Sequence, residues 1–153
     1  MALDRNTPWA NVTWLPTSKL IDLSLRNHLC LAALRSEHGK AVHMGMIVKT
    51  MFSSFFIFDA GFGKGDVSIF LAADESLSQR EMPKLDSPWS LCSSAIAPTA
   101  RLLALYDEQL QTTPLRDLVE GHQRAIENFA APPQWRLSIQ ALVQRYRKKQ
   151  RVG

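Results

Sequence analysis

Four histidines and two cysteines are the side chains of this 153-residue sequence best suited to chemistry. His38 and His43 flank Gly39, which breaks helical phase, so they share no helix face. His28 and Cys30 are two apart and point to different sides of a helix. His122 stands alone, and no His-Glu-x-x-His or Cys-x-x-Cys occurs. The pattern predicts no metal ligand. For nucleophilic catalysis the candidates are Cys30, Cys92 and the serines beside Cys92, Ser93 and Ser94. None lies in an elbow motif or beside a base. The carboxylates come singly or as Asp74-Glu75 and Asp107-Glu108, neighbours that diverge on a helix. No catalytic or cofactor-binding residue is predicted, and the expectation is a protein that is not an enzyme. A small hydrolase ranks third among the readings.

Gly61-Phe62-Gly63-Lys64-Gly65-Asp66 has the look of a phosphate loop. Such a loop needs a glycine five residues before the Gly-Lys pair and Ser or Thr after it, and it follows a strand. Here Phe58 and Gly65 take those places, and the run before the cluster reads as a helix. The cluster predicts a corner between helices. His28 beside Asn27 interrupts a leucine-rich stretch, and a buried polar pair must find partners. An interhelix hydrogen bond is the expected use.

These residues are carried by a chain organised around residues 45–62, GMIVKTMFSSFFIFDAGF. Its second half has almost no polar side, which suits a helix buried within a domain or in a bilayer. Lys49 and Asp59 inside the run would each cost roughly 2.5–3.5 kcal/mol at bilayer depth, so no membrane partner is expected. Around this helix the spacing predicts an all-α, single-domain bundle of about six helices. Residues 1–16, with Trp9 and Trp14, read as an extended arm laid against the body. Thr17 or Ser18 caps a first helix that buries Leu20, Leu23, Asn27, Leu31 and Leu34, widened by Leu25 and Leu29, and Gly39 ends it. The central helix spans about residues 41–60. Asp66 caps the next, which buries Ile69, Phe70, Ala73 and Leu77 and turns Asp74, Glu75, Gln79 and Arg80 outward. Pro83 and Pro88 bracket a loop in which Trp89 plugs the core. A fourth helix begins near Ser93 or Ser94. Thr113-Pro114 reads as a capping hydroxyl before a first-turn proline. The fifth helix buries Leu115, Leu118, Val119, Ile126 and Phe129, with Gly121 a weak point or a close contact. After Pro132-Pro133 a last helix carries Trp135, Ile139, Leu142, Val143 and Tyr146. The helical domain is read as 17–146 and a basic tail as 147–153.

The formal net charge is +4. Arg145, Arg147, Lys148, Lys149 and Arg151 supply it, because without them acids and bases nearly balance. Cys30 and Cys92 read as reduced, buried or half-buried thiols, and the start of the chain lacks a secretory layout. A cytoplasmic setting is expected.

The segment LSLRNHLCLAALRSEHGK, followed by SSFFIFDAGFG, resembles a loose group of small bacterial helical proteins. Some are labelled helix–turn–helix regulators, and some lie on mobile elements. The likeness covers about residues 17–80 and rests on core leucines, aromatics, Asn27, His28 and Gly61. It implies an α-helical accessory protein and transfers no catalytic residue. The resulting expectation is a binding module that occupies a surface on a larger protein or nucleoprotein complex. One version is an anti-CRISPR-like inhibitor of a bacterial defence complex. Trp9, Trp14, Trp89 and Trp135 are spare anchors of the type that carries interface energy. The alternative is a DNA- or RNA-binding regulator in which Arg136, Arg145, Arg147, Lys148 and Lys149 touch phosphates. The expected partner-binding residues are thus Trp9, Trp14 and these five cations.

Overall fold

Eight consecutive residues, 51–58, are buried on every side of one helix. The computed structural model describes residues 12–78 and 88–153, and this helix, α2 (Ala41–Asp59), is its axis. Around it lie α1 (Thr17–Arg35), α3 (Ser68–Ser78), α4 (Ser93–Thr112) and α5 (Leu115–Ala130). A 3-10 turn (Pro133–Trp135) precedes α6 (Ile139–Val152). α2 packs on α1, α3, α4 and α5. The protein is an all-α bundle about a central apolar helix, and no strand occurs among the described residues. Among those residues α2 alone is long and apolar enough to cross a membrane, and 61% of its apolar window is buried inside the protein.

The phenylalanines of α2 explain that burial. Phe55 and Phe58 each meet Phe70 of α3 edge to face, with ring centroids 5.3 and 5.4 Å apart. Phe58 also meets Tyr146 of α6 at 5.4 Å, and Phe52 meets Phe129 of α5 at 5.1 Å. Each such pair adds about 0.5–1.5 kcal/mol beyond its area burial. Three helices are thereby fastened to α2 by its ring edges.

Polar groups in the core are paired across helices. Gln109 of α4 is fully buried, accepts from Ser54 Oγ at 2.6 Å, and donates to the Ser54 and Phe62 carbonyls at 3.0 and 3.1 Å. The glycine cluster after α2 is a corner: Gly61, Gly63 and Gly65 have φ of 102°, 109° and 122°, a region other residues enter at a cost. Its Lys64 N–H donates to Glu108. At the same end of α2, Asp59 receives Lys149 of α6 at 2.9 Å and Arg124 of α5 at 3.7 Å, and Arg124 also lies 4.5 Å over the Phe56 ring.

Several local expectations give way to the observed packing. α1 stops at Arg35, and Glu37 (φ 63°) takes the left-handed position, with His38 N–H closing on the Ala33 carbonyl at 3.1 Å; Gly39 lies beyond the end. Leu25 and Leu29 are exposed because no described element covers that side of α1. Val119, Ile126 and Phe129 of α5 are also exposed, since Gly121 and Ala125 face α2 instead. Thr113 does not cap α5. Its hydroxyl is buried without a partner, while the Leu115 N–H donates to the Thr13 carbonyl at 2.8 Å. That bond lays residues 12–16 against the body. Asp66 does serve the start of α3, accepting from Ser68 N–H at 3.2 Å. Trp89 is half-buried against the core, and its backbone N–H donates to the Gly39 carbonyl. Cys92 is exposed at the N-cap of α4, unlike the buried Cys30. α6 begins at Ile139, capped by Ser138, and runs through the basic residues to Val152, so the expected break at 146–147 is mid-helix. Trp9, Gln79, Arg80 and Pro83 lie outside the described residues.

Candidate binding site

Two polar residues on α1 face different neighbours. Asn27 is 2% exposed, and its Oδ1 accepts from Thr50 Oγ1 of α2 at 3.2 Å. His28 lies outside and pairs with Asp107 of α4 at 2.7 Å. Each joins two helices as expected, but of the two only Asn27 is buried. Asn27 and Thr50 also form the floor of a pocket of about 420 Å³ between α1, α2, α4 and α5.

Four helices and the N-terminal segment build this pocket. α1 contributes Leu23, Arg26 and Asn27, and α2 contributes Met46, Lys49, Thr50 and Ser53. Tyr106 comes from α4, Leu118, Val119 and His122 from α5, and Leu15 from the segment before α1. The i, i+1, i+4 spacing of Lys49, Thr50 and Ser53 puts one polar strip on an otherwise apolar helix. Lys49, Arg26 and His122 surround the opening, and no aspartate or glutamate lines it. Among the described residues, neither the Arg26 nor the Lys49 side chain joins an ion pair or hydrogen bond.

The electrostatics follow from that placement. Burial holds the His122 imidazole below its ordinary range, and the positive charges of Lys49 and then Arg26 push it further down. Burial raises the Tyr106 phenol, Arg26 works against that rise, and Asp107 adds to it. The two cations therefore act on the same space. His122 is exposed at its outer edge while its Nδ1 lies 3.4 Å from Ser53 Oγ. This pair has the composition of a nucleophile and base, but the contact is long and Ser53 is 1% exposed.

The residues singled out for partner binding do not gather there. Trp14 is 49% exposed and Trp135 is 72% exposed, on the 3-10 turn rather than on α6. Arg136 lies before α6, its Nε donating to the Ala131 carbonyl at 2.8 Å. Asn128 fixes the same link, exchanging hydrogen bonds with the Leu137 backbone at 2.9 Å. Arg145, Arg147 and Lys148 are exposed on α6, whereas Lys149 is tied to Asp59. Among the described residues, no three His, Cys, Asp or Glu side chains converge in a metal-holding group. Arg26, Lys49, Tyr106 and His122 were not marked by sequence spacing, because they meet only when four helices pack. The polar strip at residues 49, 50 and 53 was the signal within reach.

A second feature is apolar. Ile21, Leu25 and Leu29 stand four residues apart on the outer side of α1, each 55–59% exposed. Compared with family models, curated proteins and solved structures, the chain matches none.

Proposed function

We propose that this protein is a non-enzymatic, cytoplasmic binding module that occupies a surface on a larger protein assembly. One observation carries the reading: α1 is apolar on two sides, and the described elements of the bundle cover only one. Ile21, Leu25 and Leu29 leave a stripe of large aliphatic side chains in water, at the spacing an apolar partner helix would meet. A contiguous exposed apolar surface of this kind marks an interaction site more often than a scattered leucine does. Trp14 and Trp135 add anchors of the residue type that dominates interface energies. An anti-CRISPR-like inhibitor of a bacterial defence complex is the narrower form, the one that the resemblance read from the sequence of residues 17–80 would imply.

The second reading, a nucleic-acid-binding regulator, draws on α6. Arg145, Arg147, Lys148 and Arg151 are exposed over its last turns with no ion pair among the described residues. One experiment separates the two. Affinity purification from a bacterial lysate, with mass spectrometry, is expected to recover a stoichiometric protein partner. A Leu25→Glu, Leu29→Glu double variant is expected to lose it while keeping its helical circular dichroism and melting temperature. Partner retention by the double variant would overturn the α1 reading. Recovery of nucleic acid alone, released steeply by salt, would favour α6 instead.

A further inference from the structure

We propose that the pocket between α1, α2, α4 and α5 binds a small monocarboxylate carried on an apolar body, such as an arylalkyl or medium-chain acid. Three observations converge on that chemistry. Arg26 and Lys49 reach its opening from two helices, with no carboxylate in the lining and no ion pair elsewhere among the described residues. An anion placed between them gains charge-assisted hydrogen bonds from both, and the planar guanidinium of Arg26 matches a carboxylate.

The floor supplies a neutral donor. Asn27 is 2% exposed, and Thr50 occupies its Oδ1, so the Nδ2 hydrogens have no acceptor among the described residues. That nitrogen is not among the buried unpaired atoms and so is reached by solvent from the pocket, where a carboxylate oxygen can accept from it. Beside the polar strip, Leu15, Leu23, Leu118 and Val119 supply an apolar part of the lining that suits a hydrocarbon body. A ligand with a second charge would find no further Lys or Arg beyond Arg26 and Lys49 in this lining. The volume of about 420 Å³ lies in the range of small-molecule sites. The occupant is thus singly charged at one end and oily at the other.

This site uses a different side of α1 from the outer stripe, and its test needs no protein partner. Failure of one reading therefore leaves the other standing. The purified full chain is titrated by calorimetry with phenylbutyrate and with octanoate, and phenylbutyramide serves as the uncharged control. The expected result is saturable one-to-one binding of at least one acid, with the amide roughly tenfold weaker or worse. Arg26→Gln, at an exposed position, and Lys49→Gln, at a half-buried one, are each expected to weaken the acid roughly tenfold. Arg147→Gln on α6 is expected to leave it unchanged. In proton–nitrogen spectra the Asn27 side-chain amide should shift on addition of acid, and inorganic phosphate should not compete. Equal affinity for acid and amide would overturn the proposal. So would indifference to Arg26→Gln and Lys49→Gln, or the absence of saturable binding by either acid.

Discussion

Thr113 places a hydroxyl where the protein has no use for one. It is fully buried between α4 and α5, and its Oγ1 has no partner among the described residues. Valine has the same shape and removes the unmatched group. Thr113→Val is therefore expected to raise stability by about 1 kcal/mol, read from the midpoint of urea unfolding. His122 gives a residue-scale expectation with a sign. Burial and the charges of Lys49 and Arg26 hold it below its ordinary 6.5, so the folded chain resists a proton that the unfolded chain accepts. The associated stability is fully present above the unfolded value and is lost as acidification carries the solution below it. Between about pH 7.5 and about pH 5.5, the unfolding midpoint is expected to fall more for the wild type than for His122→Gln. Equal slopes would remove the assignment.

Helix α2 contains Gly45 and α5 contains Gly121, and the same substitution at each is expected to act in opposite directions. A Cβ on Gly121 would sit 2.6 Å from Ile57 Cγ1 and 3.3 Å from the Ile57 backbone nitrogen. The two helices would have to part. Gly121→Ala is expected to destabilise by about 1–3 kcal/mol despite its better helix propensity. Around Gly45 there is open space, so Gly45→Ala is expected to stabilise by about 0.5–1 kcal/mol. Chemical unfolding of the two variants checks both signs. The element scale is also where the sequence was most and least informative. The ends of α2 were legible because an apolar run meets a glycine corner at one end and a polar link at the other. The covered side of α1 was not, because Leu23 and Leu25 are equally greasy and only a neighbour decides which is buried. α5 misled for a related reason: its small residues Gly121 and Ala125 make the closest approach, so its large ones are left outside. Periodicity reports which residues lie together on a face, not which face has company.

For the molecule as a whole, the pocket was hidden from sequence because Arg26, Lys49, Tyr106 and His122 come from four separate helices. The bundle itself was legible because its core is one helix and the rest is wrapping. That design carries a hazard. Rings and aliphatic chains bind one another without direction, and a helix buried on all sides by them could be seated a turn up or down at little penalty. Gln109 removes that freedom. Both ends of its carboxamide are used, one holding Ser54 and the other reaching the corner at Phe62. Sliding α4 along α2 would strand a donor and an acceptor in a dry interior, so competing seatings are penalised while the native one is left untouched. A single amide thereby makes a slippery core choose one address, and it is this choice that lets side chains from four helices arrive together around one small space.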